Sequence, residues 1–253
     1  MWKKLSFLFV ALLSIAALHG QTADEIIKNY FENTGGYEKW KSLTSQKATI
    51  TTAMQGMEFK GTVYSKPPNK MKVEVDVMGT PMIQAYDGTD AWMLFPMQTG
   101  PDAQRLPKEQ AEAMTEQTFE WPFVDYAKKG HTLALEGKED VEGAETYKLK
   151  LTKKNGKVQI FYFDAEHYVP IMMEALIESG PAKGQSVQTY MSDYQEVDGL
   201  MMPFYTEVKV GGQTAQKVTI QSVTLNEELS DEMFAMPKKK EKEAAPASGN
   251  DKN

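Results

Sequence analysis

The stretch M-K-V-E-V-D-V-M, Met71 to Met78, alternates apolar and charged residues without a break. Met71, Val73, Val75 and Val77 fall on one side of an extended chain and Lys72, Glu74 and Asp76 on the other. That is the period of a β-strand with one buried and one wet face. Y-K-L-K-L-T, Tyr147 to Thr152, repeats the pattern with Tyr147, Leu149 and Leu151 on the apolar side. Around these runs, turn signals recur at short intervals: P-P-N from Pro67, D-G at Asp87, N-G at Asn155, D-G at Asp198 and G-G at Gly211. Strands joined by tight turns form an antiparallel meander. From Ser45 to Leu225 the spacing predicts about eleven strands in a mainly β domain, with no internal repeat of fixed period.

Two segments depart from this period. From Thr22 to Leu43 the residues Ile26, Ile27, Tyr30 and Phe31 recur at helical spacing behind a Thr22 or Asp24 cap, and Trp40 and Leu43 extend that face beyond Gly35-Gly36. In mid-chain, P-K-E-Q-A-E-A-M-T-E-Q-T-F, Pro107 to Phe119, opens with proline and is rich in helix formers. W-P-F-V-D-Y-A, Trp121 to Ala127, reads as a second short helix. A helical insert inside a meander predicts a cover over the apolar face of the sheet.

The ends of the chain differ from its middle. Met1 to Gly20 has Lys3 and Lys4, an apolar run from Leu5 to Leu18 and small residues before Gln21, the pattern of a secretory signal peptide cut near Gly20. No later segment approaches the length of a membrane span. The chain contains no cysteine, so it has no lipidation box and no disulfides, and export without disulfides points to a periplasm. The run from Lys238 to Asn253 is charged, almost without apolar residues, and is expected to be disordered. Residues 21–237 make one domain. The formal charge of −7 becomes −9 once Lys3 and Lys4 are removed, which argues against nucleic acid or an anionic membrane surface as the main partner.

Few residues could carry chemistry. D-G-T-D, Asp87 to Asp90, sits between strand-like runs and lacks the third ligand of a metal site, so it reads as a hairpin turn. His131 and His167 stand in loop-like sequence. No nucleophile elbow, phosphate loop or metalloprotease motif is present. The expectation is a protein with no catalytic residues, no metal and no cofactor. The distinctive inventory is sixteen methionines, flexible side chains suited to surfaces that accept varied apolar shapes.

In this order, several stretches resemble the LolA-like outer-membrane lipoprotein carriers. These are G-T-V-Y-S-K-P-P-N (Gly61 to Asn69), I-Q-A-Y-D-G-T-D-A-W-M-L-F-P (Ile83 to Pro96), the helical insert with W-P-F, and S-D-Y-Q-E-V-D-G-L-M-M-P-F (Ser192 to Phe204). The resemblance spans Thr22 to Pro237. It implies a single, strongly curved antiparallel half-barrel with an N-terminal helix and a mid-chain helical lid on its concave face. It further implies a monomeric periplasmic carrier that takes acyl chains of lipoproteins or lipids between sheet and lid, with an inner-membrane donor and an outer-membrane acceptor as partners. On that reading Met71, Val73, Val75, Trp92, Leu94, Leu149 and Leu151 line the cavity, and Leu106, Met114, Phe119 and Phe123 belong to the lid. A non-transporting sensor on the same fold is the alternative. Lys66-Pro67-Pro68-Asn69 departs from the family run K-R-P-N: proline replaces the arginine that latches the lid and cannot donate a hydrogen bond.

Overall fold

The computed structural model describes residues 21–115, 119–178, 180 and 182–238. The signal-peptide reading of residues 1–20 and nearly all of the charged tail lie outside the described residues. The chain begins with α1 (Ala23–Asn33) and α2 (Tyr37–Lys41). Five hairpin-linked strands follow: β1 (Gln46–Met54), β2 (Met57–Lys66), β3 (Lys70–Val77), β4 (Thr80–Tyr86) and β5 (Ala91–Leu94). A short α3 (Pro96–Thr99), a two-residue β6 (Gln104–Arg105) and α4 (Lys108–Thr115) lead into the second half. There β7 (Thr132–Val141), β8 (Ala144–Thr152), β9 (Val158–Asp164) and β10 (Pro170–Leu176) precede the long β11 (Ser186–Val197), β12 (Leu200–Val210) and β13 (Gln213–Leu225).

All thirteen strands belong to one antiparallel sheet, in the order β6-β5-β4-β3-β2-β1-β13-β12-β11-β10-β9-β8-β7. Every neighbour is a sequence neighbour except β1 and β13, which join the two halves from Gln46↔Leu225 to Ala53↔Lys217. The sheet is curved and unclosed, with β6 and β7 as its free edges, as a half-barrel requires. The strand number exceeds the expected eleven by two, and one of the two, β6, is too short to leave a periodic trace in sequence.

Cross-strand partners share a face, so the register sorts the side chains. One face, here the inner, carries Ala48, Ile50, Val63, Val73, Phe161, Leu149 and their partners. α1 lies on it over β8, β9 and β12. Thr22 caps α1 in a reciprocal box: its Oγ accepts from the Glu25 N–H at 3.2 Å, and the Glu25 carboxylate accepts from the Thr22 N–H at 2.8 Å. Ile26, Ile27, Tyr30 and Phe31 then bury against Leu149, Leu151, Phe161, Phe163, Leu200 and Phe204. Ring centroids lie 5.8 Å apart for Tyr30–Phe163 and 4.8 Å for Phe123–Phe161, both edge-on, a geometry worth about 0.5–1.5 kcal/mol per pair beyond area burial.

The expected second helix over Trp121 to Ala127 is instead a run of turns. Pro122 supplies no N–H, and Asp125 adopts φ +50°, which a continuing helix cannot accommodate. Trp121, Phe123 and Val124 nonetheless pack on the α1 cluster.

The step from α1 to α2 depends on Gly35, at φ +107°. A Cβ there would stand 2.1 Å from the Gly199 carbonyl in the β11–β12 turn, the turn against which Thr34 accepts the Met201 N–H at 3.2 Å. Gly35→Ala is therefore expected to cost about 3 kcal/mol in urea unfolding through combined clash and positive-φ strain. Gly156→Ala has the same sign of φ and open space around it, and should cost about 1 kcal/mol. Equal losses would show that the close approach to Gly199 is not what constrains residue 35.

Candidate functional site

On the half of the inner face that α1 leaves uncovered, the register builds three rows. Ser65, Met71, Tyr86 and Ala91 form one, Val63, Val73, Gln84 and Met93 the next, and Gly61, Val75 and Met82 the third. Val75 is buried, while Val63, Met71, Val73, Gln84 and Met93 are half-buried. Gly61 keeps this strip low, since a Cβ there would meet the Glu74 carbonyl at 2.5 Å. The result is an apolar surface, partly open, next to a fully packed one.

α4 closes over its lower row. Met114 is buried against Tyr86 and Ala91, with Met71, Leu106 and Ala111 around it. Gln84 Nε2 donates to Met114 Sδ at 3.4 Å. The Leu106 N–H donates to the Ala91 carbonyl at 2.9 Å, and the Phe119 N–H to the Pro68 carbonyl at 3.2 Å. Pro68 thus meets the insert as an acceptor, the one backbone role that proline retains. Leu106, Met114 and the Phe119 backbone lie over β2–β5. Phe123 does not: it is buried in the α1 cluster.

The remaining expected cavity residues separate. Leu149 and Leu151 are on the inner face but fully buried beneath α1 and Phe123, so they are core. Trp92 and Leu94 were expected beside Met71 and are instead on the outer face. Trp92 pairs with Ala85 and Leu94 with Ile83, and Ala85 and Ile83 face Lys72 and Glu74. Trp92 is covered by the segment after β13, where its indole N–H donates to the Phe234 carbonyl at 2.8 Å and Met236 packs alongside. Val63, Gln84 and Met93 are inner-face residues that the pattern did not single out. Their strands are apolar on both sides or interrupted by polar residues, and only the register assigns a face.

Polar groups hold structure rather than converge on a cleft. Asp87 Oδ1 accepts from the Thr89 and Asp90 N–H groups at 2.8 and 2.7 Å, closing the β4–β5 turn. His131 Nδ1 accepts the Lys154 N–H at 3.1 Å, with its pKa lowered by burial and by Lys129 and Lys153. His167 contacts Asp164 at 2.9 Å. Among the described residues no three acids or histidines gather as metal ligands. Hollows open elsewhere as well. One, about 700 Å³, is lined mostly from the outer face by Thr49, Thr51, Lys60, Thr62 and Glu74 and also touches Ile50, Gly61 and Val75. Another, about 640 Å³, is lined by Met57, Phe59, Lys60 and Met78. A third, about 450 Å³, lies between α1 and residues 123–128. On the inner face, the Trp121 indole N–H and the Gln159 carbonyl oxygen are buried without a hydrogen-bond partner.

No family model matches the sequence, and no curated protein does either. Solved structures do match. A DUF1329 family protein from Desulfovibrio piger superposes with a TM-score of 0.58 at 13% identity, over 85% of this chain and 98% of its own. A LolA superfamily protein from Nitrosomonas europaea gives 0.56 at 16% identity, over 85% and 98%. A domain assigned to outer membrane lipoprotein sorting, from Vibrio parahaemolyticus, gives 0.55 at 14% identity, over 83% and 94%. The fold is LolA-like.

The outer-face segment is fastened by one carboxylate. Asp231 pairs with Lys66 at 2.9 Å and Lys70 at 2.7 Å, and the Lys70 and Lys66 hydrogen bonds lower its pKa from 3.8 to about 2. A carboxyl depressed in the folded state stabilises it above the unfolded pKa and loses that effect as pH falls from 3.8 toward 2. Asp231→Asn should therefore remove a component of acid sensitivity in that window, followed by Trp92 fluorescence. A variant that tracks the parent through the same window would show that the clasp contributes nothing.

Proposed function

We propose that the protein is a periplasmic, non-enzymatic carrier that binds acyl chains of lipoproteins or lipids between the inner face of β2–β5 and α4, and delivers them toward the outer membrane. The observation that carries this reading is the division of the inner face. One half is a packed aromatic core under α1. The other presents Val63, Met71, Val73, Val75 and Met93 beside a short helix whose Met114 is buried. An acyl chain that displaced α4 would gain about 0.8 kcal/mol per buried methylene. It would forfeit the contacts Leu106 and Met114 now make, so the net affinity is a difference between two burials and release needs no nucleotide. The likeness to a lipoprotein-sorting domain supports the cargo class, and the secretory pattern of residues 1–20 supports the compartment. The chain would act as a monomer without cofactor, receiving cargo from an inner-membrane donor and passing it to an outer-membrane acceptor.

Val73→Glu tests the site. It sets a carboxylate among Val63, Gln84 and the apolar rows, where an unpaired charge costs several kcal/mol when a ligand buries it. Displacement of a fluorescent fatty acid should weaken by about tenfold or more. Thr224→Glu, exposed on the outer face opposite Lys47, should leave both binding and melting temperature unchanged. Probe affinity equal to the parent's in a folded Val73→Glu protein would remove this strand from any lipid site. Lipids extracted from protein purified out of the periplasm would identify the cargo.

A further inference from the structure

Among the described residues, six large apolar side chains are exposed: Met54, Met57, Met78, Met97, Val158 and Leu176. The register places all six at one end of the sheet. Met54 and Met57 flank the β1–β2 turn, Met78 forms the β3–β4 turn and Met97 follows β5. Val158 starts β9, and Leu176 ends β10 opposite Ser186. Antiparallel pairing puts these positions, and the β12–β13 turn between them, at the same end of their strands. None lies at the opposite end.

Charge divides the same way. The connections at the apolar end carry Lys153, Lys154, Lys157 and Lys183 against Asp102 and Glu178, and Lys157 pairs with Glu178 at 2.7 Å. Those at the other end carry Asp87, Asp90, Glu142, Glu166, Asp198 and Glu227, with Lys66 and Lys70 at the strand ends flanking the β2–β3 turn. The chain as a whole is acidic, at −7, so a basic end is a local feature and not an average one.

Met78 shows that this exposure is not a leftover of the core. It is the first residue of a two-residue hairpin turn, at φ +55° with Gly79 at φ +79°, the type I′ geometry that favours asparagine, aspartate or glycine. A methionine there is 82% exposed and sits in a backbone region that opposes it. Neither solvation nor turn geometry favours methionine at that position.

We infer that this rim is a docking surface for the face of an anionic lipid bilayer. Six apolar side chains spread over separate turns suit a continuous apolar phase that all can enter at once, and the lysines of the β8–β9 and β10–β11 connections, beside Val158 and Leu176, match anionic headgroups. No described helix is long and apolar enough to cross a membrane, so contact is superficial and reversible.

The absence of cysteine makes the test direct. Exported protein with a verified amino terminus is labelled with an environment-sensitive fluorophore at Met78→Cys, Leu176→Cys or, at the opposite end, Glu196→Cys. Each is mixed with vesicles of phosphatidylglycerol and phosphatidylethanolamine, or of phosphatidylcholine alone. Labels at 78 and 176 should shift to the blue on anionic vesicles, and the label at 196 should not. Met78→Asn should melt higher than the parent yet partition about fivefold more weakly. That combination no loss of folding can produce. The inference is overturned by silence at both rim positions, by an equal shift at 196, or by equal partition onto phosphatidylcholine. Undiminished binding of Met78→Asn also overturns it, as does binding that requires membrane proteins in the vesicle. None of these outcomes depends on whether the inner face holds a ligand.

Discussion

Pairing of β1 with β13 is the contact on which the architecture depends. It brings the two ends of a long meander together at the centre of the sheet, from Gln46↔Leu225 to Ala53↔Lys217. Once those ends are joined, the free edges must come from the middle of the chain, and β6 and β7 occupy them. The segment linking two edges of a curved, unclosed sheet has to cross its hollow. α4 and residues 119–131 are that segment, so the lid follows from the topology. The same join places α1, which precedes β1 by way of α2, over the inner face. Pairing of residues so distant in sequence also carries a loop-closure cost.

The two covers differ in strength. α1 has a capping box and four buried side chains set into an aromatic cluster. α4 has eight residues, and its buried Met114 accepts a hydrogen bond at sulfur from Gln84. Local opening follows buried apolar contact and backbone protection, so the α4 side of the inner face opens at a lower cost than the α1 side. The proposed binding surface would be served by the weaker cover, and the packed core by the stronger one. Leu149 and Leu151 share a face with Val73 yet belong to the other regime because α1 reaches them first.

How far the sequence could be read follows the same logic. Alternation at Met71 to Val77 and Tyr147 to Leu151 announced strands with one apolar face, and both runs lie on the inner face. The insert after Leu106 was visible as a break in period, and the D-G at Asp87 as a turn. The face of Trp92 was not visible. β5 reads A-W-M-L, apolar on both sides, and its facing is fixed only by the parity of the β4–β5 turn, which pairs Tyr86 with Ala91 and so Ala85 with Trp92. One residue more or less would have reversed it. The covering segment from Asn226 to Met236 has no repeating pattern at all. Its contacts to Trp92, Lys66 and Lys70 depend on where the β13 end emerges, which is again a consequence of β1–β13 pairing.

The opposed ends of the sheet are a property of its connections and not of its strands. Alternation fixes what faces inward or outward, but it is silent about the turns, where solvent and backbone geometry ordinarily select polar residues, glycine or proline. At the acidic end they do: Asp87-Gly88, Glu142-Gly143 and Asp198-Gly199 supply turn residues and charge together. At the other end the turns keep glycine where the backbone demands it, at Gly56, Gly79 and Gly156; Gln55 and Asn155 remain polar partners, and Met78 surrenders the polar position beside Gly79. Exposed methionine lowers solubility, and the acidic end offsets that cost through net charge. Met54 and Met57 sit directly opposite each other at the hairpin end, where neither can reach the core that β1 and β2 help to build. Their placement answers to something outside the fold, while everything from Gln46 inward answers to the fold itself.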